Sequence, residues 1–140
     1  MQTKKILIIE DSKELASQLH IRLEKAGYSV TIAPDGNLGL FKARELNPDL
    51  IILDLMLPQV DGYQLCRLLK FDREYEHIPV IVLTARSLDQ DRELAVETGA
   101  DAFFLKPVDW NQLRQTIENL LQISDGISTN IPELAANGTH

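Results

Sequence analysis

Apolar residues along this chain come in short blocks, and the period of the blocks alternates. Lys5-Ile6-Leu7-Ile8-Ile9 is a continuous, largely β-branched run, as expected of a strand buried on both faces. Leu15, Ala16, Leu19, Leu23 and Ala26 then recur at helical spacing until Gly27 stops them, with Ile21 left on the opposite face. Residues 28–33 alternate, which suits a strand at a sheet edge. Asp35-Gly36 turns the chain into a second helix with Leu40, Ala43 and Leu46 inward, and Asn47-Pro48 ends it. Residues 50–54 form a third apolar run that closes on Asp54.

The alternation continues to the last helix. Asp61 with Gln64 has the form of a capping box before Leu65, Leu68 and Leu69. Residues 70–78 read as a charged loop. Val80 to Leu83 is a fourth strand ending at Thr84. Leu88 to Thr98 reads as a charge-rich helix with only Leu94 and Ala95 as core residues, closed by Gly99. Ala102-Phe103-Phe104-Leu105 is a fifth strand ending at Lys106-Pro107. Asp109 with Gln112 opens a final helix carrying Leu113, Ile117, Leu120 and Leu121 inward. From about residue 123 the periodicity stops, and a Ser-, Gly-, Asn- and Thr-rich tail is expected to be flexible.

Five strands alternating with five helices predict an α/β domain with a parallel sheet covered on both faces and joined by right-handed crossovers. Such sheets bind ligands at the carboxyl ends of their strands, where strand order reverses.

Composition narrows the class. The chain has 140 residues, 44% hydrophobic and 25% charged, which suits one globular domain. A net charge of −7 opposes nonspecific binding to nucleic acid or to an anionic membrane. The single cysteine, Cys66, reads as a core thiol, and His77 as a solvated side chain. The N-terminal apolar run is too short for a signal peptide or a membrane span, so a cytoplasmic location is expected.

The strand ends carry the chemistry. Glu10 and Asp11 follow strand one, Asp54 ends strand three, Thr84 ends strand four and Lys106 follows strand five. With strand one beside strand three, three carboxyl groups share a pocket. Their mutual repulsion calls for a cation, and hard oxygen ligands with room for water suit Mg²⁺. A metal, an ammonium and a hydroxyl around one carboxylate can stabilise a transferring phosphoryl group, with Asp54 as nucleophile.

Glu10-Asp11, Asp54, Thr84 and Lys106-Pro107, in that order over residues 4–122, resemble the signature of response-regulator receiver domains of two-component signalling. The resemblance implies a flavodoxin-like doubly wound (βα)5 sandwich with strand order 2-1-3-4-5. It places a receiver over 1–122 and the tail over 123–140. It implies a phosphoacceptor switch and not a conventional enzyme. Asp54 takes a phosphoryl group from a sensor histidine kinase or phosphotransfer protein. Asp11, Asp54 and the Met56 carbonyl ligate Mg²⁺, with Glu10 reaching it through water. Lys106 pairs with the phosphoryl group, Thr84 bonds one of its oxygens, and the bond to Pro107 is cis. Thr84 and Phe103 form the switch: Phe103 turns inward as Thr84 moves, while Phe104 packs in the other face of the core. Ala85 leaves access open, and Met56 with Arg86 at the lifetime-tuning positions implies slow self-hydrolysis.

The output is expected to be a protein partner docking on the last strand and its flanking helices, with Trp110 either in that surface or packed on the sheet. No DNA-binding output domain is expected in this chain. Arg92 and Asp101 suit the charge pairs by which winged-helix members of the family dimerise, whereas Ala102, Gln112 and Thr116 do not; a monomer or a phosphorylation-dependent dimer is expected. The competing class is a Mg²⁺-dependent phosphohydrolase of related topology. Those enzymes place Asp-x-Asp after strand one, where this chain has Glu10-Asp11-Ser12. A flavin module would want a Ser/Thr/Gly-rich loop there.

Overall fold

A computed structural model describes residues 3–57, 61–85, 93 and 96–126. Its strands are β1 (Lys5–Ile9), β2 (Ser29–Ala33), β3 (Leu50–Asp54), β4 (Val80–Thr84) and β5 (Ala102–Leu105). Its helices are α1 (Lys13–Lys25), α2 (Gly36–Leu46), α3 (Gly62–Lys70) and α4 (Trp110–Ser124). All four strand pairings are parallel, in the order β2-β1-β3-β4-β5. This is the doubly wound, flavodoxin-like arrangement that the resemblance implies, built on the parallel sheet that the alternation predicts. Of the helix expected over Leu88 to Thr98, Glu93, Val96 and Glu97 are described and helical. Leu94, Ala95, Arg86, Arg92 and the tail from residue 127 lie outside the described residues.

Each helix starts where a short polar side chain can accept an orphan backbone N–H. Ser12 accepts from Leu15 N at 3.3 Å, Asp35 from Leu38 N at 2.8 Å and Asp109 from Gln112 N at 3.2 Å. Asp61 caps α3 through Tyr63 N at 2.9 Å, one residue short of the expected capping-box partner. Asn47 ends α2 in the left-handed region (φ 47°), which its short amide tolerates, and Pro48 bars continuation.

The sheet divides the core in two. On one face Leu7, Ile9, Ile51, Leu53, Val82 and Phe103 pack with Leu65, Cys66 and Leu69 of α3. On the other, Ile8, Ile52, Ile81 and Phe104 pack with α1 and α4 through Leu19, Leu23, Leu113 and Ile117. The two phenylalanines of β5 therefore serve opposite faces, as strand alternation requires. Every residue of β3 is buried. Burying Ile51, Ile52 and Leu53 contributes on the order of 2 kcal/mol each, which offsets the cost of ending the strand on a buried carboxylate.

Three details depart from the periodicity. Leu68, expected inward, is 47% exposed, because α3 presents Leu65, Cys66 and Leu69 to the sheet. Ala26 is the exposed cap of α1. The charged segment 70–78 is not all surface: Tyr75 and Ile78 are buried against β3 and β4 residues. It is tied down by Lys70, whose Nζ donates to the carbonyls of Glu76 and Ile78 at 3.0 Å each and pairs with Asp101 Oδ2 at 2.9 Å. Asp101 Oδ2 also accepts from Val80 N at 2.8 Å. Asp101 is thus engaged within the fold through Oδ2.

Candidate functional site

The topology brings the expected strand ends together. β1 lies between β2 and β3, so the segment leaving β1 (Glu10-Asp11-Ser12) sits beside the end of β3 (Asp54). Carboxylate oxygens of Glu10, Asp11 and Asp54 all lie within 4.8 Å of one another. Asp11 is exposed, whereas Glu10 and Asp54 are only 2% and 1% exposed. Lys106, one residue past β5, reaches over β4 to this cluster. Its Nζ is 3.0 Å from Glu10 Oε1 and 3.4 Å from Asp54 Oδ2. The Lys106–Pro107 bond is cis.

Backbone donors hold the two buried carboxylates. Ser12 N donates to Glu10 Oε2 at 3.0 Å, and Met56 N donates to Asp54 Oδ1 at 2.9 Å. Neither donor was evident from side-chain motifs, although a Ser ahead of a helical run is a sequence signal for a tight start. Thr84 is fully buried at the end of β4, and its carbonyl accepts from Lys106 N at 2.7 Å. That bond fixes the start of the Lys106 segment against the strand that carries Thr84. Met56, whose N–H holds Asp54, is itself an exposed residue. Phe103 is 8% exposed in the core face it shares with Val82, its β4 partner.

The electrostatics are those of a site short of positive charge. Burial pushes the Glu10 carboxyl up to about 7; the Ser12 N–H and Lys106 pull it down, and the nearby Asp54 charge pushes it up. Burial alone would lower Lys106, but its contacts with Glu10 and Asp54 hold it above the ordinary lysine value. Glu10 Oε1 is buried and accepts no well-directed hydrogen bond, although the ammonium is close. One ammonium thus serves two buried carboxylates, with a third nearby. An unsatisfied buried acceptor within an all-oxygen donor set fits a hard divalent cation such as Mg²⁺.

Likeness to known proteins agrees with this geometry. A family model described as the response regulator receiver domain matches residues 6–118. The chain is 42% identical over 123 residues to the DNA-binding dual master transcriptional regulator RpaA of Synechocystis sp., a match covering 88% of this chain and 51% of that protein. It is 36% identical over 122 residues to the alkaline phosphatase synthesis transcriptional regulatory protein PhoP of Bacillus subtilis, covering 87% and 50%. The chain spans about half the length of these curated relatives. Among solved structures, it resembles the signal receiver domain of a signal transduction histidine kinase from Syntrophus aciditrophicus. That match is 37% identical with TM-score 0.80, covering 91% of this chain and 96% of that one. A CheY-like receiver domain protein from Methanospirillum hungatei is 27% identical with TM-score 0.83, covering 89% and 98%. A parallel sheet that gathers three carboxylates and one lysine at its strand ends, with a receiver model matched over 6–118, places this chain in the response regulator receiver domain family.

Proposed function

We propose that this chain works as a Mg²⁺-dependent phosphoacceptor switch, in which Asp54 receives a phosphoryl group from a phosphohistidine of a sensor kinase or phosphotransfer protein. The observation that carries this reading is the convergence of Glu10, Asp11 and Asp54 within 4.8 Å, with Lys106 Nζ 3.4 Å from Asp54 Oδ2.

In the transfer, a carboxylate oxygen of Asp54 forms a bond to phosphorus as the phosphorus–nitrogen bond breaks, and the imidazole departs with the electron pair. Asp11, Asp54 and the Met56 carbonyl would hold Mg²⁺ directly, and Glu10 through water. When bound, the ion supplies charge that offsets carboxylate repulsion and stabilises the transferring group. Lys106 supplies a second positive charge from the β5 side, and Thr84 a hydroxyl at the end of β4. The Met56 N–H holds Asp54 in a fixed rotamer, so little reorganisation is needed at the reacting atom.

The response then passes through Thr84 to Phe103. Its buried position beside Val82 supports a role in coupling the end of β4 to the outer surface of β5. The receiver is taken to occupy 1–122, although α4 itself continues to Ser124, two residues past that bound. The two relatives are named as transcriptional regulators, one of them DNA-binding. With a net charge of −7, this segment acts on a protein partner and not on DNA. Among the described residues no helix is long and apolar enough to cross a membrane; a cytoplasmic location suits a phosphodonor kinase and a lone buried thiol.

The test is incubation with acetyl phosphate and Mg²⁺, followed by intact mass. An alkali-labile gain of one phosphoryl group is expected, absent in Asp54→Asn and without the metal. A gain that persists in Asp54→Asn would sink the assignment.

A further inference from the structure

β2 and β5 border the sheet, and the two edges differ. Ala102, Phe103 and Phe104 of β5 are buried, and charges flank the strand at Asp101 and Lys106. Val30, Thr31 and Ile32 of β2 are all partly exposed, and Ser29 is exposed. No charged residue stands between Lys25 and Asp35. β2 pairs with β1 one-to-one over Ser29–Ala33, so no bulge turns it away. Edge strands are ordinarily protected by a charge, a proline within the strand or a bulge. β2 has none of these.

The hydrogen bonds to β1 fix which main-chain groups face outward. Ser29 N donates to Lys4 O at 2.9 Å, and Ala33 O accepts from Glu10 N at 3.0 Å. Main-chain groups alternate in direction along a strand, so Ser29, Thr31 and Ala33 face β1. Val30 and Ile32 therefore point their N–H and C=O off the edge of the sheet. The residues on either side close this row. Tyr28 N is taken up by Leu23 O at 3.1 Å, and Pro34 has no N–H. These features are symmetric about Thr31. A two-fold axis at Thr31 sets Val30 opposite Ile32 and Tyr28 opposite Pro34. Outward donors then meet outward acceptors, and the two residues with no outward donor meet each other.

We propose that β2 pairs antiparallel with β2 of a second copy of this chain, about a two-fold axis at Thr31. Each Val30 exchanges its main-chain hydrogen bonds with Ile32 of the second copy. Thr31 faces Thr31 in a non-hydrogen-bonded pair, with Cα atoms about 4.5 Å apart. Threonines in that position favour each other. A second copy is the occupant because the strand is complementary to itself in this register, which is what an isologous contact requires. Charge points the same way. Two chains of net charge −7 can meet over residues 26–34 without opposing like charges at the contact. Their overall repulsion makes the dimer weak at low salt, and added salt should tighten it. A dimer held by surface ion pairs would respond in the opposite sense. The proposal rests on the fold and not on phosphorylation of Asp54.

Sedimentation of the full-length chain in a chelator, without a phosphodonor, reads the dimer directly. A concentration-dependent monomer–dimer equilibrium that tightens with added salt is expected. Thr31→Glu and Thr31→Lys each set like charges opposite one another and should weaken the dimer about tenfold or more. Mixed in equal amounts, the two variants should pair with each other at least as tightly as wild type. Position 31 is partly exposed, so melting temperatures in dilute solution should stay near wild type. Thr31→Cys gives a second readout, because a Cα separation of about 4.5 Å suits a disulfide. It should form a covalent dimer on mild oxidation, whereas Ser29→Cys, which lies opposite Ala33, should not. Cys66 is fully buried and does not compete. A chain that stays monomeric at about 1 mM would overturn the proposal. So would a dimer that survives Thr31→Glu, a mixture that does not recover pairing, or Ser29→Cys cross-linking as readily as Thr31→Cys. A dimer seen only after acetyl phosphate treatment would place the contact elsewhere and also overturn it.

Discussion

Gly62 lies against the main chain of Leu55: a Cβ at position 62 would stand 2.6 Å from both the Leu55 Cα and its carbonyl oxygen. Leu55 directly follows Asp54, and its N–H donates to Leu83 O at 2.9 Å. Backbone atoms tied into a sheet cannot swing aside as a side-chain tip can. Gly62→Ala must therefore lift α3 or displace the segment that carries the carboxylate. A loss of about 1–3 kcal/mol is expected in a denaturant melt, with slower phosphorylation by acetyl phosphate. Gly39→Ala makes a useful comparison, because its added methyl would meet the side chain of Ile9 at 2.6 Å. That variant should lose stability and keep the phosphorylation rate.

The crowding of carboxylates makes an unusual stability prediction. Lys106 is shared between Glu10 and Asp54, and the Asp54 charge works against ionisation of Glu10. Asp54→Asn keeps an oxygen for the Met56 N–H and removes one buried like charge. The metal-free variant is expected to be more stable than wild type by roughly 0.5–2 kcal/mol, although it loses its phosphoacceptor. Melting both proteins in a chelator checks this. A less stable Asp54→Asn would mean that the Lys106–Asp54 pair outweighs the repulsion.

Cys66 sits in the core face under α3, and its thiol lies 4.0 Å from the Thr98 carbonyl. Burial pushes the thiol upward, only partly countered by that contact and by the charge of Lys70. The thiolate is the reactive form, so the native protein should react with a thiol reagent far more slowly than the denatured one. Equal rates in the two states would contradict the packing.

Much of this arrangement was legible in the sequence because hydrophobic period is a direct consequence of burial. β1, β3 and β4 are continuous apolar runs since both faces are covered. The acidic and cationic residues that terminate them stand out against that background. What the period did not convey was contact at a distance. Nothing local marks Tyr75 and Ile78 as core within a charged loop; they are buried because Lys70 ties that loop to Asp101 at the start of β5. Leu68 fits the helical period as well as Leu69 does, and only the angle at which α3 meets the sheet decides between them. The backbone donors on Glu10 and Asp54 were equally invisible, since every residue except proline carries an N–H.

Phe103 separates structural from switching roles. It is buried beside Val82, so Phe103→Ala should cost about 3 kcal/mol or more. Phe103→Leu retains most of the apolar contact and should fold. In that variant acetyl phosphate should still modify Asp54, because Glu10, Asp11 and Lys106 are untouched. The phosphorylation-dependent change in hydrogen exchange around β5 should be lost. An unchanged exchange response would assign Phe103 to the core alone.

Magnesium supplies the last test, because the acidic cluster should bind it whether or not a phosphodonor is present. Glu10, Asp11 and Asp54 present oxygens within 4.8 Å, and one buried oxygen of Glu10 has no well-directed hydrogen bond. An ion that binds only the folded state stabilises it by RT ln(1 + [L]/Kd), about 1.4 kcal/mol at ten times Kd. For a domain of this size that is a rise of several degrees in Tm. Calcium, larger and less tied to octahedral geometry, provides a comparison of ion size. Asp11→Asn should abolish most of the rise while leaving the metal-free Tm nearly unchanged, since Asp11 is exposed. Thermal melts across a magnesium titration at constant ionic strength separate this from screening: a rise of the same size in Asp11→Asn would show that the ions act on the net charge of −7 and not on the cluster.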